Sequence, residues 1–259
     1  MFKKSLNDFM NYFPFLIEVI KRDFKKKYYK SILGVAWSML SPLLLMVVMS
    51  IVFSTAFKRS IPYYPVYWFS GNLIFNFVTT GSQMAMNSMV TNASLLKKMR
   101  MPKYFFCIST VTLQFIMVLF SLVTYFAVEL IFGVPITFNI IFFFVPLIDV
   151  YLFTLGLGMF LCAYGTFLRD LEYLYTIARR MWMYLTPIFY PIDIIPTQFR
   201  FLWELNPIYI YLSIFRDLTM NGIMPSERTF IIATLYSVIT LILGIVTFKE
   251  KEDRFFLYI

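Results

Sequence analysis

The chain has 259 residues, 60% of them hydrophobic and 20% aromatic, with only 14% charged and a formal net charge of +9. An average soluble domain is about 45–50% apolar and about 25% charged, so a soluble core of this size is excluded and lipid must solvate much of the surface. With no histidine and two cysteines, the sequence also excludes histidine metal sites, Ser-His-Asp or Cys-His catalysis and a disulfide framework.

Residues 1–34 form an N-terminal segment interrupted by charge. It lacks a short apolar core with a small-residue cleavage site, so no cleavable signal is expected and the first span serves as its own targeting signal. Within it, residues 14–30 read as an amphipathic interface helix lying on the membrane. Pro14 suits a first turn, and Ile17, Ile20, Phe24 and Tyr28 recur at helical spacing between Glu18, Lys21, Arg22 and Lys25. A basic flank that merely orients the first span would explain the charge but not the periodicity.

Six spans follow, at about 35–57, 66–90, 104–132, 140–168, 171–190 and 230–248, giving an all-α polytopic membrane protein. The second is the most polar, with Asn72, Asn76, Thr79, Thr80, Ser82, Gln83 and Asn87. Such residues belong against other helices or a wet cavity rather than lipid. Cys107 and Cys162 lie inside apolar segments and read as small buried hydrophobes. Glu129 and Asp149 fall where helices end, which favours interfacial placement over an ion site.

Basic residues gather before the first span, in the second-to-third loop (Lys97, Lys98, Arg100, Lys103) and after the last span (Lys249, Lys251, Arg254). That pattern places both termini in the cytoplasm and accounts for the positive charge without nucleic acid. Arg179 and Arg180 lie awkwardly deep in the fifth span. They either snorkel or face an internal path, where a lipid pyrophosphate would suit paired guanidinium groups. Residues 191–229 are too long for a turn and too apolar for a soluble loop, and Pro191, Pro196, Pro207 and Pro225 break them. Short helices at 199–205 and 208–218 fit a re-entrant helical hairpin between spans five and six; a seventh and eighth full span is the competing count.

The chain has no Gly-rich phosphate loop of the Walker A type, so any ATPase is another polypeptide. Several pieces in order resemble the transmembrane subunit of ABC-2-type polysaccharide exporters, the O-antigen and teichoic acid translocases. They are Arg22-Asp23-Phe24-Lys25, then Tyr28, Ser31-Ile32-Leu33-Gly34-Val35-Ala36-Trp37 and Pro42, followed by Asn92-Ala93-Ser94-Leu95-Leu96-Lys97-Lys98 and Met101-Pro102. Arg169-Asp170, Thr186-Pro187-Ile188-Phe189-Tyr190-Pro191, Asn206-Pro207 and Phe215-Arg216 complete the series. The family usually carries Ser where Thr186 stands, a mild departure.

The resemblance implies one ABC-2 transmembrane domain over 1–259, with a cytoplasmic coupling helix at 91–103 and external gate helices at 191–229. Asn92, Leu95, Leu96, Lys97, Lys98, Arg100 and Pro102 would dock on the ATPase. Leu95, Leu96 and Met99 offer an apolar face to that groove and the basic residues add charge complementarity. Arg169 and Asp170 are either a second contact or an ordinary span end. Trp37, Tyr67, Trp68, Arg179, Arg180, Trp182, Tyr184, Phe189 and Tyr190 would border the substrate path, where aromatic faces let sugar rings slide.

The function so implied is export of a lipid-linked polysaccharide across the cytoplasmic membrane. It calls for a homodimer, two cytoplasmic ABC ATPase subunits that hold the ATP and Mg, and an undecaprenyl-type carrier; the chain itself needs no cofactor. The alternatives are an ABC-2 exporter of a drug or small lipid, and an integral membrane enzyme acting on lipid-linked sugars. The enzyme would need catalytic carboxylates gathered in the outer segment, where Asp193, Glu204, Asp217 and Glu227 are instead spread out.

Overall fold

In a computed structural model, residues 2–57, 61–98 and 102–258 are described, and among them every regular element is helical. The long apolar runs become α2 (Ala36–Phe57), α6 (Tyr104–Phe132), α7 (Phe144–Gly165, entered through a 3₁₀ turn Phe138–Phe143) and α11 (Glu227–Lys251). These four are long and apolar enough to cross a membrane by length and composition. The second expected span is α3 (Tyr64–Met86), which continues as short α4 (Ser88–Thr91) and α5 (Ala93–Lys98). Asn87 and Asn92 stand at the two breaks.

The fifth expected span is shorter than its sequence suggests. Helix α8 (Asp170–Tyr184) has 15 residues, about 22 Å at 1.5 Å per residue, and stops before Pro187 and Pro191. The 191–229 segment contains α9 (Arg200–Glu204), α10 (Pro207–Arg216) and a π turn at Asp217–Asn221, close to the expected short helices. Asn206 caps α10, its side-chain oxygen accepting from the Ile208 N–H at 3.1 Å, with Pro207 in the first turn.

The N-terminal helix differs from expectation. Helix α1 (Phe2–Lys27) runs through Pro14 instead of beginning there. Pro14 sits on the exposed side, where the lost backbone bond is open to solvation. Leu16 and Val19 are buried and Ile20, Phe24 and Tyr28 lie toward the packed side, but Ile17 turns outward. Lys25, Lys26 and Lys27 occupy the last turn, where cations favour the helix dipole.

Helix α3 is the central post, packed on α2, α6, α7 and α10. The tightest crossing joins α7 to α11 at Gly156 and Gly244. A Cβ on Gly156 would stand 2.5 Å from the Leu241 backbone, and one on Gly244 would collide with the Gly156 carbonyl oxygen. Small residues allow this approach, which dispersion then stabilises. Cys107 and Cys162 are free and buried beside Ser88.

Two ends can be distinguished. At the basic end, Lys103 donates to the Glu252 carbonyl, Lys251 lies 4.3 Å over the Tyr164 ring, and Asn87 donates to Glu172 at 2.9 Å. Burial pushes the Lys103 ammonium down while Glu252 and Asp253 pull it up. At the opposite end lie Tyr64, the 133–137 turn and the 186–226 segment, joined by Asn139 donating to the Gly222 carbonyl at 2.8 Å.

Candidate functional site

Helix α3 is buried on nearly every side, and its one open face is polar. Between 72 and 87 the positions that are not buried are Asn72, Asn76, Thr80, Gln83, Met84 and Asn87. Spacings of three and four put these on one stripe of a helix. The remaining polar residues of the segment are buried but self-satisfied: Thr79 donates to the Phe75 carbonyl at 2.8 Å and Ser82 to the Val78 carbonyl at 2.6 Å. A hydroxyl can return its bond to the preceding turn, whereas a primary amide carries two donors and an acceptor, more than the one in-helix bond from Asn76 to Asn72 at 2.7 Å can satisfy. An open amide stripe against hydrocarbon would be unfavourable by several kcal/mol, on the order of 2–7 for each unpaired group. The stripe therefore faces water or a polar ligand.

The open face forms a groove with α6. Thr80 and Gln114 line both of its halves. One half runs up to Asn72, Asn76, Ser121 and Pro42 of α2. The other widens into a cleft of about 930 Å³ at the basic end, roofed by Arg22, Asp23, Lys26 and Lys27 of α1 and floored by Gln83, Asn87 and Thr110. The sequence places the α1 cations on the polar face of an interface helix; that Arg22, Lys26 and Lys27 border a cleft with α3 depends on how that helix packs, which local spacing does not show. Lys27 reaches Gln114 at 3.5 Å, and burial pushes its ammonium down. Arg179 donates to Gln83 at 2.6 Å, which brings it to the stripe, while Arg180 is exposed.

The residues expected at the ATPase corner gather at the basic end. Arg22 donates to the Asn92 side chain at 2.7 Å, and Asn92 in turn donates to the Ser88 carbonyl at 2.9 Å. Leu96 is buried, Leu95 and Pro102 are half-buried, and Lys97, Lys98, Arg169 and Asp170 are exposed. Arg100 lies outside the described residues.

The aromatic residues expected along a path divide differently. Trp68 is in the core, whereas Trp37 and Tyr184 are exposed. Tyr67, Trp182, Phe189 and Tyr190 are half-buried and take part in a clamp at the far end. Its centre is Arg216, buried and held by the Ser70 hydroxyl (3.0 Å) and the Pro187 and Tyr67 carbonyls (2.9 Å each). The guanidinium carbon lies 3.4 Å from the Tyr67 ring centroid. The Tyr67 hydroxyl reaches the Tyr190 carbonyl (2.8 Å), Tyr64 donates to the Phe189 carbonyl (3.1 Å), and Trp182 donates to Asn206 (2.9 Å). A Cβ at Gly71 would lie 2.9 Å from the Arg216 nitrogen, so glycine gives the guanidinium its seat.

Glu129 and Asp149 are both buried within the bundle, each near one end of its helix. Asp149 accepts from Thr234 at 3.2 Å. Glu129 lies beside Tyr125 and Thr219, with one carboxylate oxygen lacking a partner among the described residues.

Residues 15–220 match the ABC-2 type transporter family. The chain is similar to two Klebsiella pneumoniae proteins named O-antigen export system permease protein RfbA, at 27% identity over 247 residues and 25% over 245, each covering 94% of both chains. A Myxococcus xanthus protein of the same name is 24% identical over 254 residues, 97% of this chain and 98% of that one.

Proposed function

Because the chain belongs to the ABC-2 type transporter family, we propose that it works as the membrane permease subunit of an ATP-driven exporter of a cell-surface polysaccharide. It is a transport subunit, and ATP hydrolysis resides on a separate subunit. The observation that carries the reading is the amide and hydroxyl stripe on α3. A glycan offers hydroxyls to such a stripe and needs no fixed charge, and weak repeated hydrogen bonds let a polymer be handed along.

Six crossings are supported by the irregular 185–190 stretch that extends α8 toward the far end, where Arg216, Tyr64 and Tyr67 tie its carbonyls. Helices α9 and α10 then make the re-entrant pair. Tyr173, Leu174, Ile177, Met181 and Tyr184 leave one face of α8 open, which suits a second copy of this chain. The positive-inside rule puts the basic end in the cytoplasm, with the membrane being the cytoplasmic one. There Asn92, Leu95, Lys97 and Lys98 dock the ATPase, beside Arg169 and Asp170, and ATP with Mg stays on that partner. The cargo rides on an undecaprenyl-type lipid.

The test expresses the triple variant Asn72→Leu/Asn76→Leu/Thr80→Leu together with its ATPase subunit. We expect normal permease levels and ATPase co-purification, because residues 92–98 are untouched. Surface glycan should fall by about tenfold or more, the loss that about 1.4 kcal/mol in the transport barrier would give. Export at the natural level would remove the groove from the transport path, and failure of the natural permease to retain an ATPase would remove the exporter assignment.

A further inference from the structure

The widened cleft at the basic end has a composition that the α3 stripe does not explain. A hydroxylated polymer needs no cations, yet Arg22, Lys26 and Lys27 all border the cavity against the single carboxylate of Asp23. Asp23 is already engaged by Arg22, at 2.7 Å. Glu172 stands at the edge, accepting from Asn87. Among the described residues, Lys26 and Lys27 therefore contribute positive charge that no carboxylate in the cleft offsets. The floor adds neutral donors in Gln83, Asn87 and Thr110, so an anion entering it would exchange water for both charge and hydrogen bonds. The cations sit on the last turns of α1, shortly before the apolar α2 begins at Ala36, which brings them to the end of a membrane-length helix, where lipid headgroups would lie.

We propose that this cleft seats the phosphate group of a membrane lipid, bound by Lys26, Lys27 and Arg22. The inference rests on the cytoplasmic placement of the basic end and on no particular cargo. Phosphate chemistry is shared by a polyprenyl pyrophosphate and by an ordinary anionic phospholipid. Arg22 links the site to the ATPase corner, since its guanidinium also donates to Asn92. A phosphate that draws Arg22 toward the cleft competes with that bond, so occupancy is sensed at residue 92.

The experiment is native mass spectrometry of the full permease–ATPase complex, delipidated in detergent and titrated separately with undecaprenyl pyrophosphate and with phosphatidylglycerol. The natural chain, the variant Lys26→Gln/Lys27→Gln and the control Lys249→Gln are compared. The double variant is expected to retain about tenfold less lipid, a loss of two charge-assisted contacts, with the control unchanged. Arg22→Lys, which keeps the charge, should retain lipid. A loss confined to the pyrophosphate identifies the cargo carrier, and a loss of both lipids identifies a general phosphate site. Unchanged retention in the double variant, or an equal fall in Lys249→Gln, overturns the site. Surface glycan in the same cells reports on the proposed function separately, so an exporter that works without this lipid dependence defeats only the present inference.

Discussion

Arg216→Leu is expected to destabilise the protein by about 3–5 kcal/mol, because it removes several buried hydrogen bonds from a charged donor at roughly 1.5–3 kcal/mol each, partly offset by burial of the leucine. The guanidinium donates to the Pro187 and Tyr67 carbonyls and the Ser70 hydroxyl at 2.9–3.0 Å, and leucine removes this charged donor from all three, leaving the Pro187 carbonyl only the Tyr67 hydroxyl (3.1 Å) and the Tyr67 carbonyl the Ser70 hydroxyl (2.8 Å). The stack on Tyr67 is lost as well. Because the clamp joins α3 to the 186–190 segment and α10, the far end should open before the rest of the bundle. Thermal unfolding in detergent measures the loss, and limited proteolysis at 191–206 locates it. Arg216→Lys should recover only part, since an ammonium lacks the planar fork that reaches several acceptors at once. A leucine variant as stable as the natural chain would show that the clamp does not hold the segment.

Gly244→Leu is expected to prevent correct assembly of the bundle. Even a Cβ at this position overlaps the Gly156 carbonyl oxygen, so the obstacle is backbone rather than a movable side chain. Overpacking in a core that can adjust costs roughly 1–3 kcal/mol. Here α7 and α11 must separate along their whole crossing, so the loss is set by the interface and not by one contact. Fluorescence-detected gel filtration should show the monodisperse peak replaced by aggregate, with Gly244→Ala intermediate. A monodisperse leucine variant would mean that the crossing is looser than described.

The apolar helices were legible because long runs without charge have no other stable solution in lipid, and the bounds of α6 agree with the expected span. The polar character of α3 was legible too, but not its geometry. The sequence groups Asn72, Asn76, Thr79, Thr80, Ser82, Gln83 and Asn87 together; the fold separates buried Thr79 and Ser82 from an open stripe. That division follows from which side α6 and α7 cover, which is tertiary information. Pro14 misled because helix initiation is its common position, although an exposed face tolerates it internally. The aromatic residues of 186–190 read as path residues, whereas their backbone carbonyls are what the clamp grips. Arg216 is 146 residues from Ser70, a pairing that no local pattern reveals.

The stripe on α3 is best tested by cysteine accessibility. Cys107 and Cys162 are both fully buried, so the natural chain supplies a quiet background. A cysteine at Asn76 and, for comparison, one at Val123 on the exposed apolar side of α6 are exposed in membrane vesicles to a charged, membrane-impermeant maleimide and to a lipid-soluble one. Rapid modification of the Asn76 position by the charged reagent, with Val123 reached only by the lipid-soluble one, is the result expected of a wet groove. If both positions react only with the lipid-soluble reagent, α3 turns its amides to lipid and the transport path lies elsewhere.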